Sequence, residues 1–157
     1  MENRKPIIAP AISAGNVVSL ERGKIPPQAV DLEEAVIGAM LIDKKGVDEV
    51  IDILQPEAFY KEANQHIFKA IHSLFETSEP IDLLTVSAQL RKMGLLDKIG
   101  GDFYLVQLSK KVSTSAHIEF HARIILQKFI QRSLIKISNE IIDDAFKESI
   151  DVFDLLD

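Results

Sequence analysis

Four histidines offer the only nitrogen ligands of imidazole type in this chain, and His117 and His121 stand one helical turn apart. That spacing can hold a metal ion, but a site needs a third ligand. His66 and His72 lie in a separate segment, and nothing in their spacing aims them at the first pair. His117 and His121 are read as two helix-surface histidines, and no metal is expected. Phosphate chemistry has even less to build on. A nucleotide-binding loop needs Gly-x-x-x-x-Gly-Lys-Ser/Thr after a strand. The single Gly-Lys pair, Gly23-Lys24, is followed by Ile25 and lacks the upstream glycine, while Gly100-Gly101 lacks a lysine after it. Without those glycines the nest of backbone amides cannot form. The carboxylate pairs Glu33-Glu34 and Asp143-Asp144 are sequence neighbours, so on a helix they point apart. They are read as solvated helix surface, not as an acid–base couple. Ser109, Ser113, Thr114 and Ser115 flank a helix junction and read as caps. No catalytic residue is assigned.

The elements that would carry these residues are helical throughout. Residues 1–24 hold Pro6, Pro10, Gly15 and Gly23 and no amphipathic period, and read as a flexible basic arm. Asp31 is placed to cap a first helix, DLEEAVIGAMLI, and a second, VDEVIDIL, stops before Pro56. A clear amphipathic helix follows over 62–76, with Ile67, Phe68, Ile71, Leu74 and Phe75 as its buried stripe. Asp82 or Thr85 caps another helix, which Gly94 ends. Gly100-Gly101 then turns into the short helix DFYLVQLSK. No segment alternates apolar and polar residues as a strand would.

Residues 115–147 contain neither Gly nor Pro, so one long helix is possible. Its apolar face changes side. Ile118, Ala122, Ile125 and Phe129 line the first half, but the same side continues as Arg132, Lys136, Glu140, Asp143 and Lys147. In the second half Ile130, Leu134, Ile137, Ile141 and Ala145 form a new stripe, widened by Ile135, Ile142 and Phe146. Either the helix leaves one body to meet another, or it bends near Ser133 or Ser138. The closing SIDVFDLLD reads as the start of a further helix, antiparallel to the long one and cut off at Asp157.

Composition narrows the function. The chain has 157 residues, 46% hydrophobic and 27% charged, which suits one folded domain. No run approaches the roughly 20 apolar residues of a spanning helix, and no signal peptide is read, so a cytoplasmic protein is expected. Cysteine is absent, which excludes disulfides and thiolate metal sites. The net charge is −6, yet residues 1–24 carry four basic and two acidic groups, leaving fourteen basic against twenty-two acidic in the body. Only 6% of residues are aromatic, with no Trp. An acidic body repels phosphates and so few rings offer little stacking surface, so direct DNA binding is expected to be weak.

Taken in order, the motifs resemble a known family. Pro26-Pro27, Asp31, Glu33, Val36-Ile37-Gly38 and Met40-Leu41 are followed by Phe59-Tyr60, then by His66-x-Phe68. Pro80-Ile81-Asp82-Leu83-Leu84-Thr85, Gly94-x-Leu96, Gly100-Gly101 and Tyr104-Leu105 come next. Ser115-Ala116-x-Ile118, Ala122-x-Ile124-Ile125 and Arg132 close the series. From about residue 25 onward the chain resembles the N-terminal domain of DnaB-type bacterial replicative helicases.

The resemblance implies an all-α fold: a compact helical globule over 25–112 followed by a helical hairpin over 113–157. It implies a non-catalytic collar that supports hexameric ring assembly through paired hairpins and docks the C-terminal helical domain of primase. Some relatives also meet a helicase loader. ATP and magnesium would belong to a motor domain beyond Asp157. The alternative is a stand-alone helical adaptor or regulator of helicase assembly. Because their side turns polar further on, Ile118, Ala122, Ile125 and Phe129 are the candidate self-association surface. An Asp at Phe129 is then expected to weaken association and spare the fold.

Overall fold

A computed structural model describes residues 24–111 and 117–147, together with Phe153 and Leu156. Seven α-helices and one 3₁₀ turn are described, and no strand occurs among the described residues. The basic arm, apart from Lys24, lies outside them, as do Ser113, Thr114 and Ser115. The same holds for most of the segment read as a second hairpin helix.

Helix α1 (Val30–Ile42) is central because its sequence leaves its middle no solvent face: every residue from Val36 to Leu41 is buried. A helix apolar around most of its circumference must be surrounded. It packs against α2 (Lys44–Val50), α6 (Gly101–Lys110) and the long helix α7 (Ile118–Ala145). The amphipathic α3 (Glu62–Glu76) turns Ile67, Phe68, Ala70, Ile71 and Leu74 inward, and the Phe59 and Phe68 rings meet at 5.0 Å between centroids. Phe75, expected in that stripe, is 41% exposed at its edge. Helices α4 (Leu83–Lys92) and α5 (Leu96–Ile99) close the globule against α3.

Local chemistry sets most of the boundaries. Asp82 accepts from the N–H groups of Leu84 and Thr85 at 2.8 and 2.9 Å, and the Thr85 hydroxyl accepts from the Asp82 N–H at 2.9 Å. This reciprocal box fixes the start of α4. Gly100 and Gly101 take φ of +102° and +73° in succession. This left-handed pair turns α5 into α6 and suits residues without a Cβ. Two starts differ from the sequence expectation. Helix α1 begins at Val30 with no side-chain cap, so Asp31 sits inside its first turn instead of capping it. Asp43 both follows α1 and caps α2 through the Lys45 N–H, which moves α2 earlier than VDEVIDIL.

The long helix α7 runs unbroken through Ser133 and Ser138 for 28 residues. At the α-helical rise this is about 42 Å of rod. The Ser138 hydroxyl donates to the Leu134 carbonyl within the same helix. Of the two readings of its changing face, the structure shows the first half in the globule and the second half projecting from it.

Gly46 marks the closest approach of two helices. A Cβ there would stand 3.0 Å from both the carbonyl carbon and oxygen of Ala39, backbone atoms of α1 that cannot swing aside. Gly46→Ala should therefore destabilise the domain by about 1–3 kcal/mol, as overpacking does. Urea denaturation checks this, and an unchanged midpoint would contradict the packing described.

Candidate protein-interaction surface

The root of α7 is fixed by side chains that satisfy a backbone segment running through the interior. Where the 3₁₀ turn (Pro56–Ala58) leads into α3, the carbonyls of Ala58 and Phe59 and the N–H groups of Tyr60 and Lys61 have no helical partner, and buried amide groups left unpaired are costly. Glu33, 1% exposed, accepts from the N–H groups of Tyr60 at 2.6 Å and Lys61 at 3.2 Å, and from the Asn64 amide at 3.0 Å. Gln65 donates to the Phe59 carbonyl at 2.7 Å. Arg132, from α7, donates to the carbonyls of Ala58 and Pro27, both at 2.8 Å, and its guanidinium lies over the Tyr60 and Phe129 rings. Burial lowers the Arg132 pKa, opposed by the nearby Glu33 and Tyr60.

Beside this joint, Glu34 receives the ammonium groups of Lys61, at 2.8 Å, and Lys111. Tyr104 completes the cluster, its hydroxyl donating to Asn64 at 2.9 Å while its ring sits 4.4 Å from the Lys61 nitrogen. Burial pushes the Glu34 carboxyl up, but hydrogen bonds from Lys111 and Lys61 outweigh it and hold the pKa below the usual carboxylate value. For Lys61 burial works downward, and the bonds to Glu34 and Tyr104 leave its pKa raised. This is a structural ion cluster. Glu33 and Glu34 are thus not the solvated pair that their adjacency suggested, because each finds partners far away in sequence.

Beyond Arg132 no described residue of α7 is buried. Ile130, Leu134, Ile137 and Ile141 are each at least half exposed and recur at helical spacing down one side. Arg132, Lys136, Glu140 and Asp143 follow the opposite side. An apolar stripe of this length on a projecting helix is a surface for another helix to cover.

The four residues assigned to self-association from sequence have a different role here. Ile118, Ala122 and Ile125 are at most 2% exposed, inside the domain's own core, and Phe129 is partly buried against it. Their side of the helix turns polar where it leaves the globule at Arg132. An Asp at Phe129 would enter the edge of this core. Periodicity had already marked the stripe beginning at Ile130, but it could not say which body covered which half.

The histidines make local contacts: His66 lies 3.3 Å from Glu62 and His72 lies 3.5 Å from Glu76, each one turn away. Among the described residues no three His, Asp or Glu side chains group as a metal site, and no helix is long and apolar enough to cross a membrane.

A helical globule with one long helix projecting from it, apolar along one exposed side, defines an all-α domain built around a helical surface. Residues 25–127 match the DnaB-like helicase N terminal domain, and the chain belongs to that family. It is 44% identical over 137 residues to the replicative DNA helicase DnaB of Rhodothermus marinus, a match covering 87% of this chain and 14% of the relative. The replicative DNA helicase DnaB of Geobacillus stearothermophilus is 39% identical over 134 residues, 85% of this chain and 30% of that protein. The chain therefore spans less than a third of either relative. Among solved structures, the crystal structure of the N-terminal domain of DnaB helicase from Mycobacterium tuberculosis superposes with a TM-score of 0.80 at 34% identity, covering 84% of this chain and 93% of that one. The N-terminal domain of DnaB helicase from Helicobacter pylori, described together with its interactions with primase, gives 0.64 at 25% identity over 74% and 91%.

The ion cluster makes stability acid-sensitive. A carboxyl whose folded pKa lies below its unfolded value contributes fully at neutral pH, and that contribution is lost as pH falls through the folded pKa. Asp82, lowered by the Thr85 backbone hydrogen bond, adds in the same direction. The thermal midpoint should fall between about pH 5 and pH 3, and Glu34→Gln should start lower and fall less steeply. Parallel pH profiles for the two proteins would contradict the role given to Glu34.

Proposed function

We propose that this chain is the non-catalytic N-terminal domain of a replicative DNA helicase, supporting ring assembly and docking primase during DNA replication. The observation that carries this reading is the projecting half of α7 with its exposed Ile130–Leu134–Ile137–Ile141 stripe. Catalysis is assigned to the part of the helicase relatives that this chain does not span, where ATP and magnesium would act. The glycines present here cannot be assembled into a phosphate loop.

Self-association is assigned to the stripe in place of the first-half face. Covering it removes apolar area at about 25 cal/mol per Å², against the cost of association. A second copy's projecting helix carries the same apolar stripe and is suited to cover it. Primase docking is supported by the description of the Helicobacter pylori relative, at the identity and coverage given above. The protein partner is inferred to be the helical C-terminal domain of primase. Contact with a helicase loader and a cytoplasmic location follow from the same reading. The acidic body leaves this domain only a weak direct hold on DNA.

Sedimentation of the wild-type chain and of Leu134→Asp/Ile137→Asp, alone and with the cognate primase C-terminal domain, tests both roles. The double variant should keep its thermal midpoint and self-associate at least about tenfold more weakly, equivalent to about 1.4 kcal/mol. Unchanged association would overturn the stripe assignment. Failure of the wild type to form a complex with primase at high micromolar concentration would overturn the docking role.

A further inference from the structure

Helix α6 buries only one of its sides. Leu105 and Leu108 enter the core, while Phe103, Val106, Gln107 and Lys110 stand on the outer side, at i, i+3, i+4 and i+7. Phe103 is 72% exposed and Val106 39%. An aromatic ring left this open gains little for the chain's own fold, and aromatic side chains are frequent anchors of protein contacts. The face belongs to the globule, and no role given to the projecting half of α7 uses it.

Beside this face, toward the C-terminal end of α6, lies a pocket of about 380 Å³. Its wall holds three ammonium groups, those of Lys61, Lys110 and Lys111, against one carboxylate, the buried Glu34. Glu34 engages Lys61 and Lys111. Their side chains nevertheless stay 39% and 52% exposed, and an ammonium has three donors to give. Lys110 is exposed and makes no ion pair among the described residues. The one acidic residue of α6, Asp102, is taken up at the other end: it accepts from the Ser87 hydroxyl and lies 3.7 Å from Arg91. The pocket is thus a positive spot on a body that carries twenty-two acidic groups against fourteen basic ones.

We propose that the outer face of α6 docks an acidic amphipathic helix of another protein, with its apolar side chains on Phe103 and Val106 and its carboxylates at the lysine pocket. A face spaced at i, i+3, i+4 and i+7 is complementary to a second helix laid along it. The two chemistries are ordered along α6, apolar at Phe103 and Val106 and cationic from Lys110 onward. From Phe103 to Lys110 the helix rises about 10 Å, so the partner carries its carboxylates about two turns beyond its first apolar residue. Charge complementarity singles out an acidic partner, because the surrounding acidic body repels an acidic helix everywhere except here. A nucleic-acid strand fits less well, since a single ring offers little stacking and Val106 offers none. Docking here is independent of the roles given to the stripe on α7.

The test is a titration of the full chain, followed by its amide signals, with a synthetic helical peptide that carries leucines along one side and glutamates about two turns further on. The signals of residues 103–110 should shift, and added salt should weaken the shift. A control peptide with lysines in place of the glutamates should leave them still. Phe103→Ser and Lys110→Glu, both at exposed positions, should keep the thermal midpoint and each weaken binding at least about tenfold. Equal binding of the two peptides, shifts confined to residues 130–141, or no shift at about 1 mM peptide would overturn the proposal. Displacement of the peptide by a single-stranded oligonucleotide would also overturn it, by assigning the lysines to phosphates.

Discussion

Four backbone groups between residues 58 and 61, the carbonyls of Ala58 and Phe59 and the N–H groups of Tyr60 and Lys61, are paired by side chains and not by a helix, and the remaining architecture is arranged around pairing them. Glu33 supplies acceptors from α1, Gln65 a donor from α3, and Arg132 a donor fork from α7. Each partner comes from a different helix, so satisfying one short segment also fixes three helices relative to one another. A carboxylate and a guanidinium are costly to bury, and removing either would strand the other side's backbone groups. The second carbonyl bound by Arg132, that of Pro27, ties the entering chain to the same point.

That joint divides α7 into two environments. Before Arg132 the helix is an ordinary core element, with Ile118, Ala122 and Ile125 buried where it packs on α1 and α2. After it the helix has no globule to pack on, and its apolar residues move to another side. The change of periodicity thus marks a change of surroundings, from the globule's core to an exposed apolar stripe. In the helicase reading, a rigid and anchored root lets the projecting half present a defined surface to another chain. A helix hinged at Ser133 or Ser138 would not do so.

Much of the local structure was legible in the sequence, because it depends on neighbours. The period of 62–76 gave α3 with its bounds, and of the two alternative caps of α4, Asp82 holds the cap position while Thr85 completes the box. The order of motifs from Pro26 to Arg132 pointed to the family. What failed depends on distance in sequence. Glu33 and Glu34 look like any exposed acidic pair, and only partners 27 to 77 residues away make them interior groups. Arg132 looked like the first residue of a polar face, whereas it is the last residue of α7 to bond into the globule. The same blindness put self-association on Ile125 and Phe129: periodicity shows which side of a helix is apolar, not what covers it.

Native-state hydrogen exchange along α7 tests the division at Arg132 most directly, at low protein concentration and neutral pH. Amides between Ala122 and Arg132 should open only with global unfolding, while those after Lys136 should exchange through a local opening of much lower free energy. Uniform protection from Ile118 to Ala145 would contradict the account, since it would require the second half to share the globule's core.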